Sequence, residues 1–290
     1  SGNGTESGVW AGIQFAVEHG ANVLSMSFGW LHAWSPDRQA WRTTMSNTLA
    51  AGVIASVAAG NEGDEQYSYP IPDNIRTPSD CPPPWLHPDQ TLQGDISAVV
   101  SVGATNSSDA IAGFSSRGPV TWQSIAPFND YPYNPGIGLI RPDIVAPGVD
   151  VKSLSYSSNT GYTTMSGTSM ATPCVAGIMA LMISKNDNLT PDVISQILEE
   201  TALKLSPIKN NTTGSGRVNA LAAIQATSFP GPVYASHSLN DIAGNNNGLI
   251  NPSEFIEANI ALQNNTENVY NNVSAIFTTD SPYITMVDGQ

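Results

Sequence analysis

Four short apolar runs, separated by segments with helical periodicity, constrain the fold of this chain more than any other feature. The run VIASVAAG at 53–60 is almost wholly apolar, as is typical of a strand buried on both faces of a sheet. Similar runs occur at 22–29, 98–104 and 143–148. This alternation predicts an α/β fold in which a parallel sheet is flanked by helices.

Apolar residues at helical spacing predict where those helices lie. One covers 5–20 and another covers 36–51, where Pro36 suits the first turn. The segment 169–184 is apolar nearly all round, which predicts a buried helix.

Two proline-rich stretches, 64–96 and 120–140, interrupt this rhythm and are predicted to be long loops. After about residue 228 the texture changes to β-type runs separated by Asn-rich turns. We therefore predict an α/β domain over 1–228 and the start of a β-sandwich-like module over 229–290.

Composition narrows the classes of function. The net charge of −14 disfavours binding to nucleic acid or to an anionic membrane surface, because cationic groups supply both kinds of binding. The apolar stretch 174–183 is too short to span a bilayer. Few basic residues beside many Asn, Ser, Thr and Gly are typical of a secreted protein. Two cysteines imply neither a disulfide framework nor a multi-cysteine zinc site.

The stretch SGTSMATPCVAG at 166–177 raises the question of a nucleophile. Ser169 stands at the start of a predicted helix, where free backbone N–H groups and the positive end of the helix dipole favour developing negative charge. Its neighbours Gly167 and Thr168 leave room for a substrate carbonyl. By itself, a serine in such a string is more often a surface turn residue.

Asn61 is the second candidate. It follows the buried run 53–60, at the end of the strand where α/β sheets carry ligands. A side-chain amide at this place can donate a hydrogen bond to an oxyanion, although Asn61 also suits a plain turn.

Six ordered segments together resemble the subtilisin-like serine peptidases, the subtilases, from residue 1 to about 227. They are SMSFG, AAGNEG, SVGA, FSSRGP, RPDIVAPG and SGTSMATPCVAG. The resemblance implies a subtilisin-like fold, a polypeptide substrate and an acyl-enzyme mechanism. It implies that Ser169 is the nucleophile and that Asn61 is the oxyanion donor. It places Ser27, Phe28, Gly29, Ala58, Ala59 and Gly60 along the cleft for the non-primed residues of the substrate. No catalytic cofactor is implied.

The resemblance also leaves a gap. In this family an Asp turn and an HGTH-type helix start precede the serine, and neither motif occurs here. The four histidines, His19, His32, His87 and His237, lie in contexts that suit none of them to the role of base. We expect the chain to begin inside the catalytic domain, downstream of both motifs, and to be nearly inactive alone. The oligomeric state is left open.

Two other functions stay open. A sedolisin-type peptidase also carries a GTS-like serine, but AAGNEG argues against it. A non-catalytic pseudopeptidase, used for adhesion or scaffolding, would keep the fold without the reaction.

Two further features of the sequence give weaker predictions. The loop DIAGNNNGLINPSE carries oxygen ligands suited to calcium at Asp241, Asn245, Asn247 and Glu254, although Ala243 falls where an EF-hand needs its first ligand. A plain Asn/Gly turn explains the loop equally well. Separately, a Cys81–Cys174 disulfide would pin the first proline-rich loop beside the site.

Overall fold

The computed structural model describes residues 4–90, 96–228, 233–241 and 252–264, with isolated positions elsewhere between 244 and 285. The chain divides into two compact units, Ser1–Ser228 and Phe229–Gln290.

A four-stranded parallel sheet forms the centre of the first unit. Its strands are β1 (Val23–Met26), β2 (Ile54–Ala58), β3 (Val99–Thr105) and β4 (Ile144–Pro147), in the order β1-β2-β3-β4. Strands β2 and β3 are buried along their whole lengths. The predicted α/β class is therefore confirmed.

Five α-helices accompany this sheet in the part of the chain that the structure describes. They are α1 (Glu6–Glu18), α2 (Arg38–Ala50), α3 (Thr168–Lys185), α4 (Pro191–Glu200) and α5 (Ala220–Ala226). A short 3-10 helix occupies His32–Trp34.

The start of α2 differs from the prediction. Asp37 is the N-cap, and its Oδ1 accepts a hydrogen bond from the Ala40 amide at 2.9 Å. Pro36 therefore lies before the cap and not in the first turn. A carboxylate accepts a first-turn N–H that would otherwise have no partner, which favours Asp37 as the cap.

The alternation of side chains along the strands produces two cores. In β2, Ile54 packs with the cluster that includes α3, whereas Ala55 and Val57 pack with the cluster that includes α1 and α2. The helices therefore cover the two faces of the sheet separately, as the period of two in a strand requires.

Helix α3 is only partly buried, contrary to the prediction. Residues such as Val175 and Met179 are buried in the core, but Leu181 is 55% exposed. By length and composition α3 could cross a membrane, although 44% of it is buried. It contacts all four strands of the sheet, which is the role of a core helix in a globular domain.

Two antiparallel hairpins lie outside the central sheet. Strands β5 (Val151–Leu154) and β6 (Tyr162–Met165) pair just before α3. The sequence pattern did not predict either strand. In the second unit, β7 (Val233–Asn240) pairs with β8 (Glu257–Gln263). This second hairpin agrees with a partly all-β module. Any β-type run predicted beyond residue 264 lies outside the described residues, except for isolated positions.

A charge cluster that is buried except for Asp73 fastens the first proline-rich loop. His32 Nδ1 lies 2.8 Å from Asp73 Oδ1, and His32 Nε2 lies 3.1 Å from Asp80 Oδ2. Arg38 Nε donates to Asp80 Oδ2 at 2.8 Å. Burial of the ring opposes protonation and the Arg38 charge lowers the pKa of His32 further, but hydrogen bonds to Asp73 and Asp80 outweigh both and raise that pKa.

We predict that Ile144→Ala destabilises the protein by about 2–5 kcal/mol, because it leaves a cavity in the core of β4 and α3. Ile144 is fully buried there. The matched control is Ile208→Ala, because Ile208 is 76% exposed; it should change the free energy of unfolding by no more than about 0.5 kcal/mol. Urea denaturation measures both, and equal effects would contradict the assignment of this core.

We also predict a pH dependence of stability that comes from His32. Because its folded-state pKa is raised, its stabilisation is complete below the unfolded pKa of about 6.5 and is lost as the pH rises through the folded-state pKa. The free energy of unfolding should therefore fall less between about pH 6 and pH 9 in His32→Asn than in the unmodified protein. Identical pH profiles would contradict this.

Candidate active site

Ser169 is the second residue of α3, directly after the turn that leaves β6. Gly167 is the N-cap, and its amide donates to the Gly148 carbonyl at 2.8 Å. The Ser169 amide lies in the first turn, where N–H groups have no acceptor within their own helix. The start of α3 therefore presents a hydroxyl and a backbone donor side by side.

The Ser169 hydroxyl is held by the end of β1. Ser169 Oγ donates to the Ser27 carbonyl at 3.2 Å, and Ser27 Oγ donates to the Ser169 carbonyl at 2.8 Å. These two reciprocal bonds bring together residues 142 positions apart. Ser27 therefore also holds Ser169 in place, a contact that its position in the motif did not reveal.

Asn61 is fixed by Thr168. Asn61 Oδ1 accepts from the Thr168 amide at 2.9 Å and from Thr168 Oγ1 at 3.0 Å. Because the oxygen accepts both bonds, the amide nitrogen Nδ2 is the group left to donate elsewhere. A β-carbon placed on Gly167 would lie 3.6 Å from both Asn61 Nδ2 and Ser169 N. Both donors therefore border one small volume beside Gly167.

A second layer holds the Asn61 turn. Glu62 Oε2 accepts from the Asn61 amide at 2.8 Å and from Ser116 Oγ at 3.2 Å. Arg76 Nε donates to the same carboxylate at 3.0 Å and 3.1 Å. Asn74 Nδ2 donates to the Glu62 carbonyl at 2.7 Å. Sequence reasoning missed this layer, although Glu62 stands next to Asn61 in AAGNEG.

The predicted cleft residues fall into two groups. Ser27 and Phe28 are exposed, and the Phe28 ring packs edge-on against Trp30 at 5.9 Å. Ala58 and Ala59 are buried instead. The Ala59 amide donates to Val102 O at 3.0 Å, and its carbonyl accepts from the Arg76 amide.

Gly29 and Gly60 are the remaining two of these residues, and they approach the same arginine. Both lie against the Arg76 side chain, which sequence reasoning also missed. Arg76 lies in the proline-rich stretch 64–96, where no motif or periodicity predicts which side chain will contact the site.

Each of the four histidines bonds a partner other than Ser169. His19 contacts the Phe15 carbonyl and His32 contacts two aspartates. His87 pairs with Asp89, and His237 contacts the Tyr234 hydroxyl.

The structure describes only part of the predicted calcium loop. Asn245 lies outside the described residues. The Asp241 carbonyl accepts from the amides of Gly244 and Asn246 at 2.7 Å and 3.2 Å, which describes a turn. Among the described residues, no group of three or more His, Cys, Asp or Glu side chains could hold a metal. Calcium stays a prediction that also involves Asn247 and Glu254.

The two cysteines are free thiols, so the structure contradicts the disulfide. Cys81 is buried in the core that includes α1 and α2, whereas Cys174 is exposed on α3, which covers the other face of the sheet. Burial raises the pKa of both thiols, and that of Cys81 strongly.

Comparison with known proteins finds the same family by a family model and by individual relatives. A family model described as the subtilase family matches residues 1–225. Serine protease AprX of Bacillus subtilis (strain 168) is 30% identical over 247 residues, which cover 76% of this chain and 48% of AprX. Subtilisin DY of Bacillus licheniformis is 32% identical over 225 residues, which cover 78% of this chain and 65% of that protein. The chain spans less than two thirds of the length of either relative.

Solved structures agree on the fold. The self-cleaved protease domain of PatA superposes with a TM-score of 0.55 and 25% identity, over 76% of this chain and 67% of that chain. The prenylagaramide maturation protease PagA gives a TM-score of 0.55 and 22% identity, over 78% and 69% of the two chains.

We predict that Thr168→Val destabilises the protein by about 1–3 kcal/mol, because a buried hydrogen-bond donor is lost. The Thr168 hydroxyl bonds both Asn61 Oδ1 and the Gly60 carbonyl, at 3.0 Å and 3.2 Å. Thr164→Val, on an exposed position of β6, is the control and should change the free energy of unfolding by no more than about 0.5 kcal/mol. Equal effects in urea denaturation would mean that this hydroxyl does not fasten the turn.

Proposed function

The chain belongs to the subtilase family, and from that premise we propose that it carries the nucleophile and the oxyanion site of a secreted serine endopeptidase. The reaction is hydrolysis of a peptide bond in a polypeptide through an acyl-enzyme. The observation that carries this proposal is the double hydrogen bond from Thr168 to Asn61 Oδ1, which leaves Asn61 Nδ2 beside the Ser169 amide.

The proposed first step is attack by Ser169 Oγ on the carbonyl carbon of the scissile bond. The carbonyl oxygen becomes an oxyanion and accepts hydrogen bonds from the Ser169 amide and from Asn61 Nδ2. A general base takes the Ser169 hydroxyl proton during the attack and returns it to the amine as the C–N bond breaks. Water, deprotonated by the same base, then hydrolyses the resulting ester and frees the Ser169 hydroxyl. These groups stabilise charge without a cofactor, so none is assigned to catalysis.

Substrate binding is proposed along Ser27–Gly29. An extended peptide would lie against this backbone, with main-chain hydrogen bonds that give affinity. The Ser27 carbonyl now accepts from the Ser169 hydroxyl. Once that hydroxyl turns toward a base, the carbonyl is free to accept a substrate amide.

The base and its orienting acid are proposed to come from residues outside this chain. All four histidines already bond other partners, and the Ser169 hydroxyl donates to a carbonyl, which cannot take its proton. A serine without a general base is a weak nucleophile at neutral pH. The 290-residue chain should therefore be nearly inactive alone.

Location and partners follow from composition and family. We propose that the protein acts outside the cell on polypeptides and that it neither binds nucleic acid nor inserts into membranes, in keeping with its net charge of −14. Its oligomeric state is not assigned.

We predict that a fluorophosphonate labels Ser169 rapidly in the longer protein that also supplies the base and acid, and only slowly in the 290-residue chain. Mass spectrometry of the labelled peptide measures both rates, and Ser169→Ala is the control for site specificity. Asn61→Ala should lower kcat by about 10²–10³, a figure that comes from a member of this same family.

Each outcome has a distinct meaning. Rapid, stoichiometric labelling of the 290-residue chain alone would overturn the proposal that its base lies elsewhere. A folded, longer protein that resists labelling and cleaves no peptide would instead support a non-catalytic pseudopeptidase.

A further inference from the structure

The segment Arg76–Thr77 joins the two walls of the proposed cleft. The Trp30 amide donates to Thr77 O at 2.8 Å, and the Thr77 amide donates back to Trp30 O at 2.9 Å. On the other side, the Arg76 amide donates to Ala59 O at 2.9 Å. This segment therefore lies between the wall that contains Gly29 and the wall that contains Gly60.

The Arg76 side chain fills the space between these walls. A β-carbon on Gly29 would lie 2.9 Å from Arg76 Cβ, and one on Gly60 would lie 3.0 Å from Arg76 Cγ. Gly60 also has a φ of 119°, which favours glycine. Glycine at both walls therefore leaves the room that the aliphatic part of the Arg76 side chain occupies.

An ion pair holds Arg76 in this position. Its guanidinium bonds the Glu62 carboxylate, and the two side chains are only 25% and 6% exposed. The Trp34 ring lies 5.8 Å from the guanidinium carbon. Glu62 also accepts from the Asn61 amide and from Ser116 Oγ. Displacing Arg76 would therefore leave a buried carboxylate unpaired, at considerable cost.

We infer that Arg76 closes the pocket for the substrate residue that precedes the scissile bond, so that the peptidase selects a small, uncharged residue such as glycine, alanine or serine there. The inference rests on the proposed function, since the carbonyl of that residue occupies the oxyanion site. Gly29 lies two residues after Ser27, which bonds Ser169, and Gly60 directly precedes Asn61, so the space between the two glycines adjoins the oxyanion site. In the proposed binding mode the substrate side chain enters this space, where Arg76 already lies. A large side chain must displace the ion pair, a basic one meets the guanidinium, and an acidic one meets Glu62.

The test uses the longer, active protein and peptides that differ only in this residue, which is Ala, Ser, Phe, Leu, Lys or Glu. We expect kcat/KM for the Ala peptide to exceed that for the Phe peptide by about tenfold or more, within the range by which pocket size discriminates substrates. In Arg76→Ala this ratio should fall by about tenfold or more.

Controls separate specificity from stability. Arg42→Ala removes another arginine that pairs with a carboxylate, Asp130, and packs on Trp122, and it should leave the Ala/Phe ratio unchanged. Because Arg76→Ala leaves Glu62 unpaired, the double variant Arg76→Ala/Glu62→Gln provides a second route to an open pocket. A merely structural role for Arg76 would lower both rates without changing their ratio.

Three results would overturn the inference while leaving the proposed function intact. They are equal cleavage after Ala and Phe by the unmodified enzyme, an unchanged ratio in folded Arg76 variants, and a preference for Glu. Failure to cleave any peptide or to react with a fluorophosphonate would overturn the proposed function itself, and this inference with it.

Discussion

The hydrogen bonds between Thr168 and Asn61 are the interaction on which the proposed site depends. They join the turn after β2 to the first turn of α3 across 107 residues of sequence. Because one oxygen accepts both the amide and the hydroxyl of Thr168, the side-chain amide of Asn61 has a single useful orientation. Preorganised donors of this kind stabilise a developing charge without reorganising during the reaction.

The parallel sheet makes this meeting possible. Ser27 follows the end of β1 and Asn61 follows the end of β2, so both lie at the carboxyl edge of the same sheet. Helix α3 crosses all four strands and begins at that edge. One helix that packs on the sheet thus brings Ser169 to both turns, and the packing of the core sets the geometry of the site.

The layer behind Asn61 connects the proposed oxyanion donor to Arg76. The Glu62 carboxylate accepts hydrogen bonds from the Asn61 backbone amide and from the Arg76 guanidinium. A single buried carboxylate therefore holds the backbone of Asn61 and also fixes the Arg76 side chain, which lies in the proposed cleft. Changes in either residue should reach the other through this carboxylate, because low-dielectric surroundings strengthen such networks.

The sequence by itself determined the α/β class, the four strands of the central sheet and the family, because apolar runs and short motifs are local patterns. It identified Ser169 and Asn61 as candidates through their places next to a helix start and a strand end. It failed for Pro36, where a neighbouring carboxylate makes the better cap, and for the Cys81–Cys174 pair, because sequence spacing does not reveal which face of a sheet a residue occupies. Only the tertiary structure decided that Arg76 lies between Gly29 and Gly60 and pairs with Glu62. That arrangement depends on a proline-rich loop that returns to bond the segments after β1 and β2, which no local propensity specifies.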